Sequence, residues 1–168
     1  HFSNAFFAAS ISASFLFNTY AENETKFYLV LGDSIAYGSG LRNPEEACYG
    51  RIVADTNGFD YANHAVPGHT TSDLINKLSE QSVTEDLKKA DIISISIGGN
   101  DFLTNNASDL IFDAVLENDY SQFDIIAENF YNNLCIIIST IRSNNSDAVI
   151  LMQNIYNPQE GDLKAIYQ

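Results

Sequence analysis

Tyr28-Leu29-Val30-Leu31-Gly32-Asp33-Ser34 is an apolar run that stops abruptly in a glycine, an acid and a serine. Residues 27–31 are apolar at odd and even positions alike, the pattern of a strand covered on both faces of a parallel sheet. A serine mounted directly after such a strand brings its hydroxyl to the carboxyl edge of the sheet. Ligands and chemistry gather at that edge in open α/β folds. Gly32 permits the sharp turn out of the strand. The glycines of Tyr37-Gly38-Ser39-Gly40 do not make a phosphate loop, because no Gly-Lys-Ser/Thr follows them.

Outward from this stretch, strand and helix signals alternate. Residues 44–55 read as a short helix and residues 60–65 as a short second strand. Thr71-Ser72-Asp73 supplies a helix start, with Leu74, Ile75 and Leu78 following at helical spacing. Ile92, Ile93, Ile95 and Ile97 make the next strand, closed by Gly98-Gly99. Phe123, Ile126, Phe130, Leu134, Ile137 and Ile141 recur every three or four residues, which predicts a long amphipathic helix. Residues 148–152 are a further strand, ended by Asn154 and Asn157-Pro158. Strands and helices in this order require right-handed crossovers and a parallel sheet between helical layers. The expectation is one three-layer α/β/α domain, a size that 168 residues fill without room for a second.

Composition narrows the function classes. Hydrophobic residues make up 45% and charged residues 18%, as in ordinary globular chains rather than disordered ones. Twenty-two acids against 8 bases give a formal charge of -14, which repels phosphate backbones and argues against a nucleic-acid partner. Residues 2–17 are rich in Phe, Ala, Ile and Leu, and a polar stretch with small residues at Thr19 and Ala21 follows. That pattern matches the apolar part and cleavage zone of a secretory signal, and the run is too short for a stable membrane span. Residues 1–21 are therefore expected to be part of a signal peptide, residues 22–168 the domain, and the protein secreted. Of the two cysteines, Cys135 lies in Leu134-Cys135-Ile136-Ile137-Ile138 and is expected to be a buried small hydrophobe. No cysteine and histidine spacing suits a metal, and no cofactor is expected.

Three segments carry the chemistry. Ser34 is a nucleophile only if a base takes its proton and an oxyanion hole receives the developing charge. Gly68, in Ala65-Val66-Pro67-Gly68-His69, stands after a short strand and before a helix start, where its N–H can face an oxyanion. In Ile97-Gly98-Gly99-Asn100-Asp101 two glycines end a buried strand, so Asn100 emerges at the same edge as Ser34 and its amide can donate to an oxyanion. Asp101 is placed to brace the loop through hydrogen bonds. Each segment alone also reads as an ordinary turn.

Taken in order, Gly32-Asp33-Ser34, Gly68 and Gly98-Gly99-Asn100-Asp101 resemble the SGNH (GDSL-type) hydrolase family from about Lys26 to Pro158. Asn154-Ile155-Tyr156-Asn157-Pro158 is similar to the segment after the fourth strand in lysophospholipase-like bacterial members. The resemblance implies a flavodoxin-like fold and cofactor-free hydrolysis of carboxylic esters or thioesters, with a small-molecule ester as partner. It makes Ser34 the nucleophile, and the Ser34 and Gly68 N–H groups and the Asn100 side chain the oxyanion donors. Specificity would reside in the loops of residues 38–46 and 105–120.

One block of the family pattern, an Asp-x-x-His near the carboxyl end, has no counterpart before Gln168. The histidines are His1, His64 and His69, all early, and His69 is expected to be a surface loop residue rather than a base. The chain is expected to be a fragment in which the base and its acid lie further on. Sheet surface that a last helix would cover should then stand open. A binding protein that keeps the pocket without catalysis, and a plain structural α/β domain, are the competing readings. This chain should accordingly release p-nitrophenol from its acetate ester slowly or not at all. Ser34-dependent turnover that disappears in Ser34→Ala would contradict that expectation.

Overall fold

A computed structural model describes residues 24–103 and 112–154. The expected secretory segment at residues 1–21, the Asn154–Pro158 motif beyond its first residue, and the 105–111 part of the second specificity loop lie outside the described residues. Four parallel strands form one sheet in the order β2-β1-β3-β4: β1 is Phe27–Gly32, β2 Asp60–Asn63, β3 Ile92–Ser96 and β4 Val149–Met152. This is the start of the 2-1-3-4-5 order of flavodoxin-like sheets. The α/β expectation holds.

The period of two along β1 divides the core. Leu29 and Leu31 point to one face, where they pack with Leu74, Leu78, Leu87, Ile93, Ile95, Ile137 and Ile141. That face is covered by α4 (Thr71–Lys77), α5 (Gln81–Lys89) and α7 (Ser121–Asn144). Tyr28 and Val30 point to the other, against Ala54 of α3 (Tyr49–Asn57) and Ala36 of α1 (Ser34–Tyr37). The division follows from handedness. The walk from β1 to β2 runs opposite to the walks from β2 to β3 and from β3 to β4, so right-handed crossovers fall on opposite faces.

Several boundaries differ from the sequence expectation. Residues 44–55 form two helices, α2 (Pro44–Ala47) and α3, because Cys48 between them is extended. The second strand ends at Asn63 rather than at residue 65, since the Asn63 side chain accepts the Ala65 N–H at 2.9 Å and turns the chain. β3 ends at Ser96, and Gly99 opens a short helix, α6 (Gly99–Phe102). The first turn of α4 is closed by a capping box between Thr70 and Asp73. Residues Asp113–Glu117 form a π-helical turn ahead of α7.

Cys135 is exposed, contrary to expectation, while Cys48 is buried, and both are free. The inward line of α7 runs through Ile137 and Ile141 with Leu134 and Ile138 alongside, which turns Cys135 and Ile136 outward. At the sheet edge Val149, Leu151 and Met152 of β4 are exposed. Beside them a groove of about 340 Å³ opens on the α3 face, lined by Tyr28, Tyr49, Ile92, Ser94 and Leu151 among others. Its Tyr49 hydroxyl shares a hydrogen bond with Ser94 Oγ at 3.1 Å, and burial pushes the pKa of that phenol up to about 12.

β1 and β3 approach so closely at their ends that Gly32 has no room for a side chain. A Cβ there would lie 2.0 Å from the Ser96 carbonyl oxygen, and the residue has φ +140. Gly32→Ala should cost about 3 kcal/mol or more and lower Tm by roughly 6–12 °C. A thermal melt within 2 °C of the parent, on the order of measurement error, would show that the strands part without cost.

Candidate active site

The strand order reverses about β1: its own crossover leads to β2, while β3 lies on its other side. A crevice therefore opens above the carboxyl ends of β1 and β3. Asp33 and Ser34 leave β1 there. The Asp33 N–H donates to the Ser96 carbonyl at 2.9 Å, so the two exits are bonded together. Asp33 is extended and caps α1, accepting the Ile35 N–H on Oδ1 at 3.0 Å. Ser34 is the first residue of that helix and half-buried. Its carbonyl accepts from the Gly38 and Ser39 N–H groups. Its own N–H, in the first turn, has no intrahelical acceptor and is available to a ligand.

The second loop is sewn to the first. The Val66 N–H donates to the Gly32 carbonyl at 3.0 Å, and the His69 N–H closes the turn onto the Val66 carbonyl at 3.2 Å. Gly68, at the tip, has φ +85, and nothing lies within 4 Å of the place a Cβ would take, so conformation rather than crowding requires glycine. Asn63, which sequence reasoning missed, donates from Nδ2 to the Ala36 carbonyl at 3.0 Å while its Oδ1 holds Ala65. One side chain thus fixes the helix that begins at Ser34 against the Gly68 loop. An asparagine at a strand end is the one signal of this in the sequence, and many turns share it.

The third loop completes the set. Gly98 has φ +116, and Asn100 in α6 donates from Nδ2 to the His69 carbonyl at 2.8 Å. That bond uses one amide hydrogen and leaves the other for a ligand. Phe102 anchors α6 by an edge-on contact with Phe130 of α7, ring centroids 5.9 Å apart. Asp101 turns away from the crevice and accepts from both the N–H and the hydroxyl of the fully buried Thr71. Asn133 of α7 donates to the same hydroxyl at 2.9 Å. Asp101 thereby ties α6 to the first turn of α4. Backbone and side-chain bonds therefore link Gly32, Asp33, the loop that carries Gly68, and Asn100 into one frame around Ser34.

Both described histidines are partly buried. His64 Nε2 bonds Asp86 Oδ2 of α5 at 2.6 Å, which fixes it at the side of the sheet. Burial raises the Asp86 carboxyl, but its bonds to Lys89 and His64 outweigh this and hold it low. His69 lies in the loop after Gly68 and is partly buried there, with its Nδ1 enclosed without a hydrogen-bond partner. The Asn100 bond to its carbonyl draws it inward. Among the described residues no group of three or more His, Cys, Asp or Glu is placed to hold a metal ion.

Comparison with known proteins gives the family. Residues 30–166 match the GDSL-like lipase/acylhydrolase family, and the chain belongs to it. The uncharacterized protein YpmR of Bacillus subtilis (strain 168) is 30% identical over 147 residues, spanning 82% of this chain and 55% of that protein. The chain thus corresponds to little more than half of that relative. The lipase Lip_vut3 from a goat rumen metagenome superposes with a TM-score of 0.64 at 27% identity, covering 85% of this chain and 68% of the other. The psychrotrophic esterase EstA from Pseudoalteromonas sp. shares the fold at 17% identity, TM-score 0.54, over 79% and 61%.

The acid beside the serine is held in an unfavourable state. Burial raises the Asp33 carboxyl above its usual range and the Asp101 charge adds to this, against the Ile35 N–H bond that lowers it. A carboxyl raised on folding binds more protons folded than unfolded, so its ionisation subtracts stability as pH climbs through that window. Asp33→Asn keeps an oxygen for the cap and removes the charge. It should match or exceed the parent's Tm at pH 7, with the difference closing as pH falls below the folded-state value. A variant less stable at pH 7 than at acid pH, relative to parent, would mean that the charge itself supports the fold.

Proposed function

We propose that the protein is a serine ester hydrolase in which Ser34 attacks the carbonyl carbon of a carboxylic ester or thioester. The observation that carries this is the frame around Ser34. A half-buried serine at the strand-order reversal has its own free first-turn N–H, the Gly68 tip and the Asn100 amide held on the neighbouring loops. As Ser34 Oγ bonds the carbonyl carbon, its proton passes to a base and the carbonyl oxygen becomes an oxyanion. The Ser34 and Gly68 N–H groups and the free Asn100 amide hydrogen receive that charge. Collapse of the intermediate breaks the ester bond. The alcohol or thiol leaves with the proton, and an acyl-serine remains. Water, deprotonated by the same base, attacks the acyl-serine, releases the acid and restores Ser34.

In this reading the base and its orienting acid lie outside the described residues: His64 is bonded to Asp86, and the Nδ1 of His69 is enclosed without a partner. The lipase and esterase among the structural neighbours, and the family itself, support the reaction class. That same placement of the histidines also favours a second reading, a pocket that binds esters without turnover.

A fluorophosphonate probe applied to the full-length protein separates the two. Covalent labelling should map to Ser34 and vanish in Ser34→Ala. Asn100→Ala should slow it by roughly 10²–10³-fold through loss of one oxyanion donor. Ester binding without labelling would assign the protein to the second reading.

A further inference from the structure

Asn63 and His64 follow one another out of β2, so their side chains point to opposite faces of the sheet. Asn63 reaches the Ala36 carbonyl of α1 on one face. His64 reaches α5 on the other, with its Nε2 2.6 Å from Asp86 Oδ2. The backbone here is tied to β1 through the His64 N–H on the Val30 carbonyl and the Val66 N–H on the Gly32 carbonyl. The base of the loop that carries Gly68 is thus clamped from both sides of the sheet.

Asp86 is built as an anchor. Val83 and Leu87 of α5, on either side of it, are fully buried, so the carboxylate moves only with the helix. Its Oδ1 accepts from Lys89 Nζ at 2.8 Å, and that ammonium lies 4.3 Å from the centre of the Phe27 ring at the start of β1. Oδ2 is left for His64, and because an ionised carboxylate only accepts, Nε2 carries the hydrogen. The two side chains are 18% and 17% exposed, against 44% and 59% for the Arg51–Asp55 pair on α3, so water and salt screen the His64 bond less. An oxyanion donor acts only when it is held at hydrogen-bond distance from the place where charge develops. Loops hold such groups less precisely than strands and helices do, and bonds to a rigid element make up the difference. We propose that His64 and Asp86 are a positioning pair that holds the Gly68 N–H in place for the oxyanion. The inference rests on the reading of Ser34 as the nucleophile and Gly68 as one of its donors.

The rate constant of fluorophosphonate labelling at Ser34 in the full-length protein tests this, read beside a thermal melt. His64→Ala and Asp86→Ala should each slow labelling roughly tenfold or more, since a displacement on the order of 1 Å can cost about 10²-fold. The double variant should be no slower than either single one, because the two side chains act as a unit. His64→Gln keeps an N–H near the Nε2 position and should recover most of the rate. Gly68→Ala should itself slow labelling, and adding His64→Ala to it should change nothing further, since the histidine acts through that loop. Ile141→Val, in the core, should lower Tm and leave the rate unchanged, which separates lost stability from lost positioning. If His64→Ala does not fold, Asp86→Ala reads the same bond with the imidazole in place. Labelling of the variants at the parent's rate, with Tm lowered, makes the pair structural and overturns the proposal while the hydrolase reading stands. So does a slowing that His64→Gln leaves uncorrected, or one as large in the Gly68→Ala background as in the parent. Absence of Ser34 labelling in the parent removes the hydrolase reading and the positioning role with it.

Discussion

At the ends of β1 and β3 the two backbones meet with no side chain between them. Gly32 lies against the Ser96 carbonyl, and the next residue's N–H is bonded to that same oxygen. A parallel pair normally diverges into its connecting loops once the ladder ends. Here the contact carries one residue further, so the serine after β1 and the asparagine after β3 leave from a common point. The Gly32 carbonyl also accepts from Val66, which brings in the loop after β2. One glycine therefore joins all three loops, and any added atom at that position separates them.

Rigidity around this point comes from polar groups rather than from the apolar core. Thr71, fully buried, donates its hydroxyl to Asp101 and accepts from Asn133, which ties α4, α6 and α7 together beneath Asn100. Buried polar atoms of this kind stabilise a fold only when each finds its partner, and these do. Asn63 performs the corresponding task between α1 and the Gly68 loop. The crevice is thus fixed by side chains bonded to other parts of the chain.

Legibility follows the strength of the local pattern. β1 and α7 are readable because their apolar periodicity runs for several residues and burial on the sheet enforces it. α5 has only Val83 and Leu87 buried, four residues apart, and gives no comparable signal. The split of residues 44–55 at Cys48 and the capping by Thr70 depend on single residues that fit helix, turn or loop equally well. Cys135 misleads because an apolar neighbourhood in sequence spans every face of a helix, while only one face meets the core. The partial burial of His69 was not legible, because it depends on Asn100, 31 residues on, bonding its carbonyl.

The sequence by itself determined the alternation of strands and helices, the parallel sheet and the identity of Ser34, Gly68 and Asn100 as candidates. Those follow from hydrophobic period and from residue chemistry, both of which are local. Only the tertiary structure decided that the three loops share one frame, that Asp101 faces Thr71 rather than the crevice, and that His64 belongs to Asp86. It also decided which face of α7 turns Cys135 outward. Such facts depend on contacts between residues tens of positions apart, whose partners are chosen by strand order and crossover handedness and are written in no single segment of the chain.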